Sequence, residues 1–344
     1  MVWVKHLETR EATIHVLFLF AEIPSLKAAA EIKEQKHSPQ EDSLSHHYYH
    51  TPDDLPFDLT KVFCERMEGA SVFEAKMKSN GKMIVAKFEP SSSQKSQARA
   101  ESQVLELLST TLKEEPCFLP KWEGFIQVGF MDVLCTSPVG QGTLADLLST
   151  KGKDGLAAST LFLLASNVSK ALQQLHSCNL MMRDLHEANI IFLSSSSSSS
   201  SLINSIKEFR LIDLGLAAAP SQGEAGKGWD KEFGFEEMLS VRTLLNNTFD
   251  EQSDYVSMLY VLWMAAAGKA LPWQSNKRDK AIKQRLQVEK RSSLNQHDRT
   301  VQHVAAALAQ LDSKQEVHPE QVAVVIKELL HNLWHAQIEE AQEA

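Results

Sequence analysis

The stretch from Met182 to Gly215 constrains this chain more than any other. It reads Met182-Arg183-Asp184-Leu185-His186-Glu187-Ala188-Asn189, then the apolar run Ile190-Ile191-Phe192-Leu193 and eight serines from Ser194 to Ser201. A second apolar run, Phe209-Arg210-Leu211-Ile212, leads into Asp213-Leu214-Gly215. Two short strands joined as a hairpin would bring the ends of this stretch together. Two carboxylates and a carboxamide would then lie where a divalent metal can be held beside a transferring phosphate. A serine homopolymer has no apolar surface to bury, so it suits a hairpin tip.

Composition fits a chain with two lobes of core. There are 344 residues, 43% of them hydrophobic, enough for one bilobal domain with extensions. A net charge of -9 argues against a nucleic-acid partner, which calls for a basic face. Cys64, Cys117, Cys135 and Cys178 are far apart and lack zinc-ligand spacing, which suits a reducing cytoplasmic or nuclear setting. The apolar run Ile14 to Ala21 is too short to span a bilayer and contains His15, so no membrane partner is expected. Residues 1–55 read as a poorly ordered extension, with a linker rich in His, Ser, Pro and Asp from Glu34 to Asp54.

Two β-prone runs, Val72 to Met77 and Met83 to Phe88, flank an Asn80-Gly81 turn and predict a hairpin carrying Lys87. Glu101 follows fourteen residues after Lys87, in a stretch where Val104, Leu105, Leu107 and Leu108 make a helical apolar face. Taken alone, a strand lysine and a helix glutamate are ordinary surface charges. Phe130 to Leu134 reads as a further strand, after which Gly140-Gln141-Gly142-Thr143-Leu144-Ala145-Asp146-Leu147 begins a different kind of segment. Leu161, Leu164, Ala165, Val168, Leu172 and Leu175 recur at spacings of three and four and predict a helix entering the Met182 stretch. Tyr255 to Ala267 is apolar all round, the mark of a buried helix, with Asp254 expected to cap it. Val322, Val325, Ile326, Leu329 and Leu330 predict one more amphipathic helix.

Asp184 with Asn189 five residues on, followed by Asp213-Leu214-Gly215, resembles the catalytic and metal-binding loops of the protein kinases. Glu101-Ser102, Gly142 to Leu147, Glu251-Gln252-Ser253 and Leu271-Pro272-Trp273-Gln274 look most like the casein kinase 1 group and its vaccinia-related and tau-tubulin relatives. The resemblance implies an α+β bilobal fold over about residues 56–340, with an antiparallel-sheet small lobe to about 134 and a mainly helical large lobe beyond. It implies ATP and magnesium as cofactors, protein substrates and a monomer. Asp184, His186 and Asn189 take the catalytic positions, and Asn189 and Asp213 the metal positions. Lys87, Glu101, Gly69, Val72, Val85, Met131, Val133, Leu134 and Ile191 take the nucleotide positions, with Met131 guarding the back of the adenine pocket, and the resemblance also implies that Asp254 holds the catalytic-loop backbone.

The chain departs from that family pattern in three places. Met182 replaces its histidine, and His186 stands where it has lysine to support the γ-phosphate. Glu68-Gly69-Ala70-Ser71-Val72 offers one glycine where the family has two or three, which implies weak nucleotide affinity. The segment from Leu216 to Asn247 sets Glu224, Asp230, Glu232, Glu236 and Glu237 against Lys227, Lys231 and Arg242, so acidic substrates are not favoured. A serine/threonine kinase is the leading expectation. The alternatives are a pseudokinase scaffold and a small-molecule phosphotransferase of the choline or aminoglycoside type, whose loop Asp184-Leu185-His186 with Asn189 also resembles.

Overall fold

The computed structural model describes residues 2–8, 13–19, 55–64, 70–91, 96–112, 116–151, 155–195, 205–222, 236–273, 299–312 and 315–343. Gly69, the linker, Ser196 to Ser201, Gln274 and five charged residues of the Leu216 to Asn247 segment, Glu224, Lys227, Asp230, Lys231 and Glu232, lie outside these residues. Two compact units are distinguished: Met1–Ser102 with Trp122–Val139, and Gln103–Lys121 with Gly140–Ala344. The first is built on an antiparallel sheet and the second is mainly helical, the α+β division expected for the fold.

In the first unit, β1 (Val2–Glu8) and β2 (Thr13–Leu19) form an antiparallel ribbon within the N-terminal extension. The main sheet has five strands: β3 (Phe57–Cys64), β4 (Ser71–Met77), β5 (Met83–Pro90), β6 (Lys121–Val128) and β7 (Met131–Ser137). They lie in the order β3-β4-β5-β7-β6. The β4–β5 turn closes as its sequence requires: Gly81 takes φ +71°, and Lys82 N donates to Asn80 Oδ1 at 2.9 Å. Because side chains alternate, one face collects Phe57, Ala75, Ile84, Ala86, Val133 and Cys135 into an apolar core. Phe88 joins that face, meeting Phe73 edge-on at 5.4 Å between centroids.

The strand expected to end at Leu134 runs on to Ser137. Beyond Leu134, pairing of Thr136 with Val85 and of Cys135 with Ala86 supplies the backbone partners. Burial pushes the Cys135 thiol up to about 12, so it behaves as a small apolar group.

Helix α1 (Gln97–Thr111) carries Glu101. Its start is tied down by Arg99, whose Nε and Nη2 reach Asp132 Oδ2 and Oδ1 at 3.2 and 3.0 Å, with Ser91 Oγ donating at 2.8 Å. Burial alone would raise the Asp132 carboxyl, but the hydrogen bonds from Arg99 and Ser91 outweigh it and hold the group below its ordinary 3.8. A carboxyl depressed by folding stabilises above its unfolded pKa, and that contribution is lost as pH falls through the folded value. Asp132→Asn is therefore expected to be destabilised against urea at pH 7, with the gap from the parent closing as pH falls below about 4. An equal gap at pH 7 and at about pH 3 would remove the electrostatic account.

The second unit opens with β8 (Gly142–Thr143) and α2 (Leu144–Lys151), followed by α3 (Ala158–Ser177). All six predicted contact residues of α3, from Leu161 to Leu175, are buried. Strands β9 (Ile190–Ser194) and β10 (Ile206–Leu211) pair antiparallel, and β8 lies against β9. Short β11 (Ser221–Gln222) pairs with β12 (Thr248–Phe249), and between them in sequence is α4 (Val241–Asn246). Helix α5 (Glu251–Ala267) is buried on every side, as its uniform apolarity implies. Gly155 abuts it so closely that a Cβ there would meet Ala266 O at 1.8 Å.

The cap of α5 is Asp250, not Asp254: Asp250 accepts from Ser253 N, and Ser253 Oγ accepts in return from Asp250 N, completing a capping box. Asp254 lies inside the first turn, so its carboxylate is left to act elsewhere. Helices α6 (Arg299–Leu311) and α7 (Pro319–Glu343) complete the unit. Along α7, Val322, Val325, Ile326 and Leu329 are buried as predicted, while Leu330 is half-buried.

Candidate active site

On the sheet, Lys87 is opposite Val72 on one side and Leu134 on the other, so these three share a face. Val85, two residues away on β5, is on that face as well and is opposite Thr136. Lys87 is 9% exposed, and its Nζ meets Glu101 Oε2 at 3.0 Å. A buried lysine needs such a partner to stay charged.

Two expected lining residues do not belong with this group. Val133 is opposite Phe88 and packs into the apolar core, and Met131 begins the strand opposite Pro90. Alternation therefore turns both to the face away from Lys87, and a one-residue shift in reading the strand is enough to cause that error. Thr136 is the residue that sequence reasoning missed. Its distance of two from Leu134 is the signal that could have found it.

In the helical unit, the loop before β9 is suspended from Asp254, which is 2% exposed. Asp254 Oδ2 accepts from Met182 N at 2.8 Å and Oδ1 from Arg183 N at 3.0 Å, as expected. His176, at the end of α3, brings its Nε2 to 2.9 Å from Asp254 Oδ2, and it too was missed. A histidine in the last turn of a helix feeding this loop was the available clue. Met182 is fully buried. Arg183 Nη2 donates to Ala219 O at 2.6 Å, and its guanidinium lies over the Phe249 ring.

Asp184, His186 and Asn189 form one cluster. Asn189 Nδ2 donates to Asp184 O at 3.0 Å and to Asp184 Oδ2 at 3.3 Å. The carboxamide is thereby oriented, and its oxygen faces away from Asp184. The second carboxylate oxygen of Asp184, Oδ1, is buried and has no hydrogen-bond partner among the described residues. An orphaned carboxylate oxygen is costly unless a ligand hydroxyl or cation completes it. His186 is buried, with Nδ1 accepting from Ala188 N at 3.2 Å and Nε2 lying 3.7 Å from Asp184 Oδ2. With Nδ1 engaged by Ala188, Nε2 is the ring nitrogen turned toward Asp184.

Backbone pairing brings Asp213 to the same end of the β9–β10 hairpin, because Ile212 N donates to Asn189 O at 2.9 Å. Asp213 has φ +58°, a left-handed conformation that a non-glycine residue adopts only when its surroundings impose it. Ile191, on β9, is overlain by Gly140, where a Cβ would come within 2.8 Å of the isoleucine Cβ. A glycine is required for that approach. Asp213 and Asn189 are hard oxygen donors, few in number, and that suits magnesium, which takes one or two protein ligands and completes its shell with water and phosphate.

The family model for the protein kinase domain matches residues 68–339. No curated protein matches the chain.

Proposed function

Because the chain belongs to the protein kinase family, we propose that it transfers the γ-phosphate of ATP to serine or threonine hydroxyls of proteins, slowly and in the manner of the casein kinase 1 group. The observation that carries this reading is the buried Oδ1 of Asp184, which has no partner among the described residues. A substrate hydroxyl donating to that oxygen would be oriented for attack and could lose its proton there. Asn189 keeps the carboxylate in place by bonding its other oxygen and its backbone carbonyl. Lys87, held in its charged form by Glu101, would engage the α- and β-phosphates. Asp213 and the Asn189 carboxamide oxygen would hold magnesium, which when bound neutralises charge on the phosphates.

A magnesium-dependent rise in melting temperature with ATP is the direct test, since a ligand that binds only the folded state must stabilise it. Asp213→Asn is expected to abolish that rise, and a rise that survives the substitution would remove Asp213 from the metal site. Arg242 is 7% exposed and bonded to Asp250, Gln252 and Glu316, so it supports α4 and α5 and is not offered to an acidic substrate.

One observation favours a scaffold without catalysis. His186 spends Nδ1 on Ala188 and offers an imidazole, not the ammonium of a lysine, where the family has lysine. The γ-phosphate then lacks that ammonium, and turnover depends on the remaining groups.

A further inference from the structure

The start of α1 is gripped by the sheet at two points, and the grip bears on Glu101. Its own first turn contains no acidic residue, so nothing within the helix answers the positive end of its dipole. Glu89 does so from β5. Its Oε2 accepts from Ala98 N at 2.7 Å and from Ser96 Oγ at 3.0 Å, and its side chain is buried. Ser96 Oγ in turn accepts from Arg99 N at 3.3 Å. The second point is Arg99 on Asp132, a two-pronged contact to a fully buried carboxylate.

These contacts are in register with the Lys87–Glu101 pair. Glu89 follows Lys87 by two residues on the same face of β5, and Asp132 is directly opposite Glu89 on β7. Ala98 precedes Glu101 by three residues on α1. The strand points are about 6.6 Å apart and the helix points about 4.5 Å along the axis, spacings that side chains of this length bridge. With Ala98 and Arg99 anchored, neither sliding nor rotation of the helix is free, and Glu101 is delivered to Lys87.

We propose that Glu89, Arg99 and Asp132 are positioning residues that hold Glu101 against Lys87, so that the small unit alone assembles the phosphate-binding lysine. The proposal rests on the kinase reading and adds to it the means by which the lysine is kept ready. Every member of the clamp belongs to the sheet or to the first turns of α1, so no phosphate elsewhere on the chain is needed to form the pair.

Glu89→Gln and Arg99→Met in the full chain separate positioning from simple support. Each is expected to speed deuterium uptake at the amides from Ala98 to Glu101 and to raise KM for ATP about tenfold, the worth of one charge-assisted contact. In a Lys87→Met background, neither should weaken ATP binding further, because the group they position is gone. Losses that add fully to that of Lys87→Met would overturn the proposal, as would folded variants with unchanged exchange and unchanged KM. Phosphatase treatment should leave protection at Ala98 intact, and its loss would likewise count against a self-sufficient clamp. Exchange needs no catalysis, so it still decides the matter if activity indifferent to Asp184→Asn sinks the kinase reading.

Discussion

Asp254→Ala is expected to lower the melting temperature by roughly ten degrees and to abolish phosphoryl transfer. The side chain is 2% exposed and receives the Met182 and Arg183 amides, with His176 Nε2 at 2.9 Å. Removing it leaves two backbone N–H groups and a ring nitrogen in the interior without an acceptor. Each orphaned donor costs about 1–3 kcal/mol, against a typical total stability of about 5–15 kcal/mol. Arg183 adds to the strain, since it has φ +67° and its amide is one of those released. The loop would relax, and Asp184 next to it would lose its setting. Asp254→Asn keeps one acceptor oxygen and should lose less in melting temperature. Calorimetry with an activity assay well below the transition checks both, and an alanine variant that melts within about 2 °C of the parent with full activity would refute the suspension role.

What was legible in the sequence was local. The turn at Asn80-Gly81, the spacing of Asp184 and Asn189, and the uniform apolarity of Tyr255 to Ala267 each state their structure within a few residues, and each took that structure. What depended on a distant partner was not legible. Thr136 belongs to a strand because Val85 pairs with it, and Val133 turns into the core because Phe88 is opposite. The helix caps show the same limit. Asp250 caps α5 through Ser253, three residues away, and that box is readable once the boundary is known. Glu89 caps α1 from nine residues upstream in another element, where no pattern within the helix announces it.

Restoring a lysine at position 186 tests catalysis against scaffolding. His186 is buried beside Asp184, and its Nδ1 is taken up by the Ala188 amide. His186→Lys would place an ammonium within reach of the Asp184 carboxylate and of an incoming γ-phosphate, at the loss of the bond that steadies Glu187–Asn189. That loss is worth about 1 kcal/mol and should appear as a small fall in melting temperature. The gain in activity should outweigh it: phosphorylation of a serine-containing protein is expected to rise about tenfold, which corresponds to roughly 1.4 kcal/mol of transition-state stabilisation. Asp184→Asn removes the proton acceptor while keeping the shape, and should reduce turnover about 10²–10⁴-fold in either background. The two substitutions together are decisive. Activity that ignores Asp184 belongs to a contaminating enzyme, and a folded His186→Lys protein that binds ATP with magnesium yet transfers nothing leaves the scaffold reading in possession.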